Sequence, residues 1–192
     1  MNGKPYQKSI SIRSHNKTLA LILEILLLFG AGMIAILLHA RLRTPLNIPG
    51  HHGIEFMAIL MLARMRSRLK FAASFSSVGI GLLLLFPVFG FKDPMMGFNY
   101  MLPGIILDLG YNAFISERKS FIYIGIISGL AYFSIPLSRL LIHLSTGYPY
   151  GTFIKYGTWG PLLSFFIFGV IGGISGFLIY HGTRKIKNFN IN

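Results

Sequence analysis

The chain has 192 residues, of which 53% are hydrophobic and 12% charged. Soluble domains carry about 25% charged residues, so this composition excludes an ordinary soluble domain and favours one integral membrane domain. The absence of cysteine excludes disulfides, thiolate metal sites and cysteine nucleophiles.

Apolar runs of about 20 residues recur along the chain and predict an all-α integral membrane fold with six transmembrane helices. The membrane domain covers residues 19–182, between two basic tails at 1–18 and 183–192. The second run is short, so it either borrows residues from the preceding loop or does not cross fully. The predicted spans are residues 19–40, 54–63, 71–91, 98–115, 121–141 and 161–180.

Span one contains a carboxylate and a face of small residues. Glu24 is costly at its depth, so it lies near the inner headgroups, pairs with a partner or is neutral. Ala31, Gly32 and Ala35 lie on one helical face, which allows another helix to approach closely. That face contacts either another helix of the same chain or a partner protein.

The connection after span one, residues 37–55, is too polar to lie in lipid. It carries Arg43, two prolines and the pair His51 and His52. Charged backbone broken by proline is tolerated only outside the bilayer or where it lines a cavity. We therefore expect this connection to form a lid over a pocket.

The two histidines of this connection are candidate binding residues. If Pro49 opens a helix, His51 and His52 precede Glu55 by four and three residues, so a histidine and a carboxylate share one face. This spacing suits a divalent metal site, a hydrogen-bonded clamp for an organic ligand, or solvated side chains without a role. Among the other histidines, His143 is the residue that would complete a metal site.

Span four is the most polar of the six. Asp108, Tyr111 and Asn112 have the spacing i, i+3 and i+4, which puts them on one helical face. A carboxylate within a membrane is a functional hypothesis by default and needs a partner. The predicted partners of Asp108 are Arg139 and Lys155. The alternative is a purely structural ion pair between Asp108 and Arg139.

The loop before span six is rich in aromatic residues, among them Tyr148, Tyr150 and Trp159. Tyrosine and tryptophan are enriched at membrane interfaces, and an aromatic wall also holds planar or cationic ligands. The loop is therefore either an interfacial anchor or one side of the pocket.

The basic residues indicate how the spans are oriented. With six spans, 13 of the 18 Lys and Arg residues lie on the side of the two tails. Cytoplasmic segments carry such an excess, so we expect both termini in the cytoplasm and the protein in the lipid of the cytoplasmic (inner) membrane. This placement accounts for the net charge of +13, so nucleic acid is not expected as a partner.

The sequence carries no recognisable catalytic motif. It lacks a glycine-rich phosphate loop and the patterns G-x-S-x-G and H-E-x-x-H. We therefore do not expect an enzyme, and uphill transport would need an ion gradient or an energy-supplying partner. One alternative is a small metal-dependent membrane enzyme that uses His51, His52 and Glu55. Another is a structural or assembly subunit.

The pattern Ala31-x-x-x-Ala35, a long outer first loop and a polar fourth span occur together in this chain. With six spans and cytoplasmic ends, the whole resembles the substrate-binding (S) components of energy-coupling factor (ECF) transporters. The segment ARLRTPLNIPG looks like the region after the first span of biotin S components. IPGHHG and FNYMLPGIILDLGY are similar to cobalt and nickel S components, and ILDLGYNAF is similar to thiamin S components. Metal S components begin with Met-His, whereas this chain begins with Met1-Asn2.

This resemblance implies an S-component-like bundle that binds a small micronutrient, a vitamin-like molecule or a metal, from the outer face. It implies as partners a transmembrane coupling protein (the T component) and two ABC ATPases, with Ala31 and Ala35 as docking residues. No intrinsic cofactor is expected; the ligand is a small organic molecule or a divalent metal, the latter at His51 and His52. The predicted substrate-binding residues are Arg43, His51, His52, Glu55, Asn99, Tyr100, Asp108, Asn112, Arg139, His143, Tyr150 and Trp159.

Overall fold

The structure is a computed structural model that describes residues 6–41, 48–86, 93, 95–113 and 120–189. All regular secondary structure in these ranges is α-helix, which confirms the predicted all-α class for this part of the chain. The helices are α1 (Tyr6–Arg41), α2 (Gly53–Arg66), α3 (Ala72–Leu84), α4 (Met96–Ala113), α5 (Phe121–Thr146), α6 (Gly151–Tyr156) and α7 (Trp159–Phe189).

Three helices in the described ranges are long and apolar enough to cross a membrane, which indicates a membrane protein. The apolar segments are Lys17–Leu38, Phe121–Thr146 and Trp159–Ile186. α3 is also apolar but has 13 residues, and α2 has 14. At 1.5 Å per residue α2 is about 21 Å long, which is shorter than a hydrocarbon core of about 30 Å. The second predicted span is therefore short in the structure as well.

The first and last helices extend beyond their predicted spans. α1 begins at Tyr6, inside the predicted tail 1–18, and α7 continues to Phe189, inside the predicted tail 183–192. Lys and Arg mark the end of an apolar span, but they are good helix formers, so the helix continues past the apolar run. A basic run therefore locates the edge of a span better than the end of a helix.

α2 begins at Gly53 rather than at Pro49, so the condition that Pro49 opens this helix is not met. In the turn before α2, Gly50 has a φ of +79°, a left-handed conformation that interrupts a helix and that glycine adopts at low cost. A Cβ on Gly50 would also overlap the ring of Phe165. The turn therefore closes onto the α7 side of the bundle, and the part of the predicted lid at 42–47 lies outside the described residues.

The six longer helices pack as a closed ring. In order of contact the ring runs α1, α3, α4, α5, α7 and α2, and α2 then meets α1. α2 also contacts α3, α4 and α5, which places it nearest the centre. Its side chains Phe56, Met57, Leu60 and Met61 are accordingly fully buried. The short α6 packs on α7.

The small-residue face of α1 packs within the chain. Gly32 lies against the backbone of Ser76 in α3, where a Cβ would overlap the carbonyl oxygen. Ala35 is completely buried, so in this structure it is not accessible to a docking partner. Ala31, one turn earlier, is half-buried and lines a cleft. Of the two predicted docking residues, only Ala31 is therefore partly open to the surroundings.

One end of the ring is basic. Here α2 and α4 end, while α3 and α5 begin. Arg66 donates a hydrogen bond to Thr183 at 3.1 Å, and Ser67 donates to the carboxylate of Glu24 at 2.6 Å, which gives Glu24 a polar partner. We call this the basic end and define it by the exposed residues Arg66, Arg68, Lys70, Arg184 and Lys185.

The opposite end of the ring carries the aromatic loop. At this end α2, α4 and α7 begin and α5 ends. The loop between α5 and α7 includes the short α6. We call this end the aromatic end and define it by His51, His52, Tyr148, Tyr150 and Trp159.

Candidate functional site

Arg139, near the end of α5, is the centre of a polar cluster at the aromatic end. Its Nη2 lies 3.5 Å from Oδ2 of Asp93, which forms an ion pair between α5 and the segment that precedes α4. Its guanidinium carbon lies 5.9 Å from the ring centre of Tyr100 and 5.7 Å from that of Tyr150, within the range of cation–π contacts. One carboxylate and two rings therefore hold the Arg139 side chain.

Asp93 also organises the start of α4. Its Oδ1 accepts a hydrogen bond from the backbone amide of Met95 at 3.0 Å, and its backbone carbonyl accepts one from Met96 at 3.1 Å. Sequence reasoning misses Asp93 as a site residue, although an aspartate just before a helix is typical of an N-terminal cap. Because Asp93 both caps α4 and pairs with Arg139, it fixes where α4 presents its first turns to α5.

Besides Oδ2 of Asp93, which is ion-paired with Arg139, three polar atoms of this cluster are buried without a hydrogen-bond partner: Nδ2 of Asn99, Nε of Arg139 and the hydroxyl of Tyr150. Asn99 is 2% exposed and Tyr150 is 6% exposed. The other amide atom of Asn99, Oδ1, accepts a hydrogen bond from Ser138 at 2.9 Å. A buried polar group without a partner costs about 1–3 kcal/mol, and most such groups in native proteins are paired. Three of them in one cluster point to a site for a ligand.

The environment of Tyr150 keeps its hydroxyl neutral. Burial raises the pKa of Tyr150, and the nearby Asp93 carboxylate raises it further, whereas Arg139 and the Asn99 amide act in the opposite direction. A phenol with a raised pKa stays protonated at physiological pH and can donate a hydrogen bond.

Aromatic side chains surround the cluster on the interior side. Tyr132 and Phe165 are stacked, with ring centres 4.8 Å apart and an interplanar angle of 18°. Phe56 contacts the edge of Tyr100 at 5.7 Å and lies 5.6 Å from Tyr132. Sequence reasoning misses Phe56, Tyr132 and Phe165, because aromatic residues within apolar runs are typical of any helix core. They provide flat apolar walls next to the polar atoms.

The histidines of the turn before α2 have defined partners. Nδ1 of His52 lies 2.7 Å from Oε1 of Glu55, so this histidine and this carboxylate meet although the helix does not begin at Pro49. Nδ1 of His51 lies 2.7 Å from the carbonyl oxygen of Ile48, and the two imidazole rings are 3.9 Å apart. Because a carbonyl can only accept, Nδ1 of His51 carries the proton. In the neutral ring Nε2 is then an acceptor, and this atom is buried without a partner.

Tyr132 connects the histidine turn to the Arg139 cluster. Its ring lies on Gly53, where a Cβ would overlap it. Through Phe56, which lies against both rings, Tyr132 is also next to Tyr100, one of the two rings that hold Arg139. The two groups are therefore parts of one arrangement across the aromatic end. We call it the polar belt; it consists of His51, His52, Glu55, Asp93, Asn99, Tyr100, Tyr132, Arg139 and Tyr150.

The described part of the chain contains no group of three or more His, Asp or Glu side chains arranged to hold a metal ion. Nδ1 of both His51 and His52 is engaged, with Ile48 and Glu55 respectively. His143 does not join them, since its Nδ1 lies 2.7 Å from the carbonyl oxygen of Tyr148. In the described part of the chain, His51, His52 and His143 therefore do not come together in one three-residue group.

One further predicted site residue, Trp159, is not enclosed with the polar belt. Trp159, the first residue of α7, is 76% exposed, so it is available to a membrane interface rather than to an enclosed pocket. Arg43 lies outside the described residues.

Asp108 and Asn112 lie towards the basic end. Asp108 pairs with Arg64, with Nε 3.2 Å from Oδ1, so the predicted pairing with Arg139 or Lys155 is wrong. Asn112 accepts a hydrogen bond from the same arginine at 3.0 Å. Asp108 is nine residues after Asn99 along α4, about 14 Å away at 1.5 Å per residue. These two residues therefore belong to a different polar group from the one around Arg139.

The face predicted for α4 is nevertheless present. Arg64 contacts all three of its members, since its guanidinium carbon also lies 4.5 Å from the ring centre of Tyr111. The helical spacing therefore predicted correctly that these three residues share a face of α4. It did not predict that the residue they contact is Arg64, near the end of α2.

The polar belt combines unpaired donors, a neutral tyrosine hydroxyl, a histidine acceptor and flat apolar walls. Such a combination can hold a small polar molecule by hydrogen bonds and ring contacts. The chemistry of these residues is the basis for assigning a function, because comparisons of the chain with protein family models, curated proteins and solved structures give no match.

Proposed function

We propose that this chain is a membrane protein that binds a small polar solute in the polar belt at its aromatic end. The observation that carries the proposal is the group of buried, unpartnered atoms on Asn99, Arg139 and Tyr150, together with Nε2 of His51. In a low-dielectric interior, a ligand that pairs with these atoms recovers the free energy that their burial costs. The neighbouring rings supply apolar contact area.

The available atoms define the chemistry of the solute. Asn99 Nδ2 and Arg139 Nε are donors, so the solute presents hydrogen-bond acceptors to them. His51 Nε2 is an acceptor, so the solute presents a donor towards the turn before α2. Asp93 balances the charge of Arg139, and this part of the belt therefore does not select a strongly charged solute. These features fit a small neutral or zwitterionic organic molecule with a planar part.

The proposed biological role is the substrate-specificity subunit of an ECF-type importer. In this role the protein captures a micronutrient outside the cell and delivers it through a transmembrane coupling protein and two ABC ATPases. The sequence contains no nucleotide-binding motif, so the energy for uphill transport comes from such partners. The long helices α1, α5 and α7 then cross the cytoplasmic membrane, with the aromatic end outside and the basic end in the cytoplasm.

α1 is the proposed docking helix for the coupling protein. Only 22% of its apolar segment is buried within the chain, the lowest share among the three long apolar helices described. Leu23, Leu26 and Ile34 are exposed along one side of α1, with Ala31 next to them. Because Ala35 is buried, the proposed contact uses this exposed side.

Native mass spectrometry of protein purified directly from its membrane tests solute binding. We expect a bound small molecule in the wild-type protein and about five- to tenfold lower occupancy in Tyr150→Phe, which loses one hydrogen bond worth about 1 kcal/mol. Tyr148→Phe is the matched control, because Tyr148 lies in the same loop, 5.0 Å from Tyr150 between ring centres, and is exposed. Equal occupancy in wild type and Tyr150→Phe would rule out the polar belt as the binding site.

Copurification tests the importer role separately. We expect the chain to copurify with ABC ATPases, and Ala31→Trp to abolish this association while solute capture at the aromatic end is retained. Ala35→Trp is expected to prevent folding instead, since Ala35 is fully buried. Solute capture without any associated ATPase would support a binding protein and argue against the importer.

A further inference from the structure

Two clefts meet at Arg66, at the basic end. The first lies between α1 and α2, has a volume of about 300 Å³ and is lined largely by apolar side chains, including Leu27, Ile59 and Leu62. It extends along α1 from Glu24 to Ala31, which is seven residues or about 10 Å. A cleft of this length and composition accepts a hydrocarbon chain.

The second cleft lies between the ends of α2 and α7 and is polar. It has a volume of about 180 Å³ and is lined by Arg66, Tyr180, Thr183 and Arg184. Two guanidinium groups, a hydroxyl and a phenol are ligands for a phosphate group, which arginine binds through several hydrogen bonds at once. No acidic side chain of the described residues lines this second cleft.

Arg66 forms the boundary between the clefts. It lines both of them, and its Nη2 donates to Thr183 at 3.1 Å, so its head is directed towards α7. This is how arginine behaves at a membrane surface, with an apolar stem along the protein and a polar head at the interface. A molecule that crosses the Arg66 stem therefore passes from a cationic site to an apolar one.

The carboxylate of Glu24 does not oppose a phosphate in the polar cleft. Glu24 lines only the apolar cleft, and it accepts a hydrogen bond from the hydroxyl of Ser67 at 2.6 Å. The Ser67 hydroxyl in turn accepts one from the backbone amide of Leu69 at 3.0 Å. Glu24 is therefore held on the α1 side of Arg66.

We infer that an anionic phospholipid binds at this place. Its phosphate occupies the polar cleft between Arg66 and Arg184, and one acyl chain occupies the cleft between α1 and α2. Basic pockets between membrane helices attract anionic headgroups in this way. The inference does not depend on the proposed solute site, which lies at the opposite end of the ring, but its apolar cleft includes Ala31, which also lies on the proposed docking side of α1.

Native mass spectrometry of the detergent-solubilised full chain, incubated with equal amounts of phosphatidylglycerol and phosphatidylcholine of matched acyl chains, tests this inference. We expect the wild-type protein to retain phosphatidylglycerol preferentially. The double variant Arg66→Ala with Arg184→Ala is expected to lower retention at least about tenfold, since each basic residue near an anionic headgroup contributes to binding. The double variant Arg66→Lys with Arg184→Lys, which keeps both charges, is expected to retain most of it.

The matched control is the double variant Arg68→Ala with Lys185→Ala, which removes two basic residues of the same end that line neither cleft. It is expected to bind phosphatidylglycerol as the wild type does. If this control lost as much phosphatidylglycerol as Arg66→Ala with Arg184→Ala, binding would depend only on the total positive charge of the basic end. That result would overturn the inference. Equal retention of phosphatidylcholine and phosphatidylglycerol by the wild type would do so as well.

The apolar cleft is tested by Ala31→Phe, which fills it. We expect lower retention of phosphatidylglycerol in this variant and no displacement of the lipid from wild type by millimolar inorganic phosphate. If phosphate displaces the lipid and Ala31→Phe has no effect, the polar cleft binds a free anion and the lipid assignment is wrong. If Ala31→Phe abolishes association with ATPases but leaves lipid retention unchanged, the cleft is a protein-docking surface and the lipid assignment is likewise wrong.

Discussion

Arg64 and Asp108 form a buried ion pair that ties three helices together, with Nε 3.2 Å from Oδ1. Asp108 also accepts hydrogen bonds from the backbone amides of Ala73 and Ser74 at the start of α3, at 3.3 and 2.7 Å. The carboxylate thus caps α3 from α4, where the positive end of the helix dipole stabilises it. Arg64 donates to the carbonyl oxygen of Leu69 at 2.6 Å, so the pair also fixes the turn between α2 and α3.

Asp108→Ala is expected to destabilise the fold without a direct effect on the solute site. Removing one member of a buried pair costs about 3–5 kcal/mol, because the other charge is left unpaired. We expect a lower thermal unfolding midpoint in detergent and unchanged solute occupancy per folded molecule. Normal stability with lost occupancy would instead restore Asp108 as a ligand-binding residue.

A second variant separates the ion pair from the cap. Replacing a buried pair by apolar residues is often neutral, as in Arg64→Met combined with Asp108→Leu. Here we expect this double variant to remain destabilised, because the amides of Ala73 and Ser74 lose their acceptor. A return to wild-type stability would show that the capping hydrogen bonds contribute little.

The sequence was sufficient to predict the helical class. Apolar runs report burial in lipid or core directly, and the spacing of Asp108, Tyr111 and Asn112 correctly put them on one face. It was not sufficient to identify the partner of Asp108. Arg64 belongs to a basic run that the positive-inside rule explains fully, so nothing in the sequence distinguishes it from its exposed neighbours Arg66 and Arg68.

The sequence predicted only part of the candidate site. Arg139, Asn99 and Tyr150 stand out because polar residues at the ends of apolar spans are few. Tyr132 and Phe165 do not stand out, since their role depends on how α5 packs against α7. Long-range packing of helices is not contained in the local periodicity of either helix.

The contact between α1 and α3 is expected to depend on Gly32. A Cβ at Gly32 would overlap the backbone carbonyl of Ser76, so Gly32→Ala must move the two helices apart and is expected to cost about 1–3 kcal/mol. Gly30→Ala is the control, because a Cβ there meets nothing within 4 Å. It is expected to be neutral or stabilising by up to about 1 kcal/mol through helix propensity. Similar unfolding midpoints for the two variants would contradict the close approach of α1 to α3.

The turn before α2 is expected to need glycine at position 50 for two separate reasons. Gly50→Ala meets both the strain of a φ of +79° and overlap with the ring of Phe165. Gly147→Ala shares a φ of +72°, but its Cβ meets nothing within 4 Å, so it reports the strain alone. We expect the backbone strain to lower the free energy of unfolding of both variants by about 1–2 kcal/mol, and the overlap with Phe165 to lower that of Gly50→Ala further. Solute occupancy should fall only in Gly50→Ala, since Phe165 stacks on Tyr132 beside the polar belt.

The buried hydroxyl of Tyr150 is expected to make stability fall at alkaline pH. The pKa of Tyr150 is raised in the folded protein, chiefly by burial, relative to about 10 in the unfolded chain. The folded state then binds the Tyr150 proton more tightly than the unfolded chain does. The contribution of this hydroxyl to the free energy of unfolding is therefore complete below pH about 10 and is lost as the pH rises through the folded pKa. We expect the stability of wild type relative to Tyr150→Phe to be constant from pH 7 to 9 and to decrease above pH about 10. Unfolding midpoints of both proteins across this range measure the difference in stability, and the effect of lysines that titrate in the same pH range cancels because both proteins contain them.

Near neutral pH, Tyr150→Phe should be at least as stable as wild type, because it removes a buried hydroxyl that has no partner. A variant that is both less stable and fully competent in solute binding would show that Tyr150 serves packing rather than recognition.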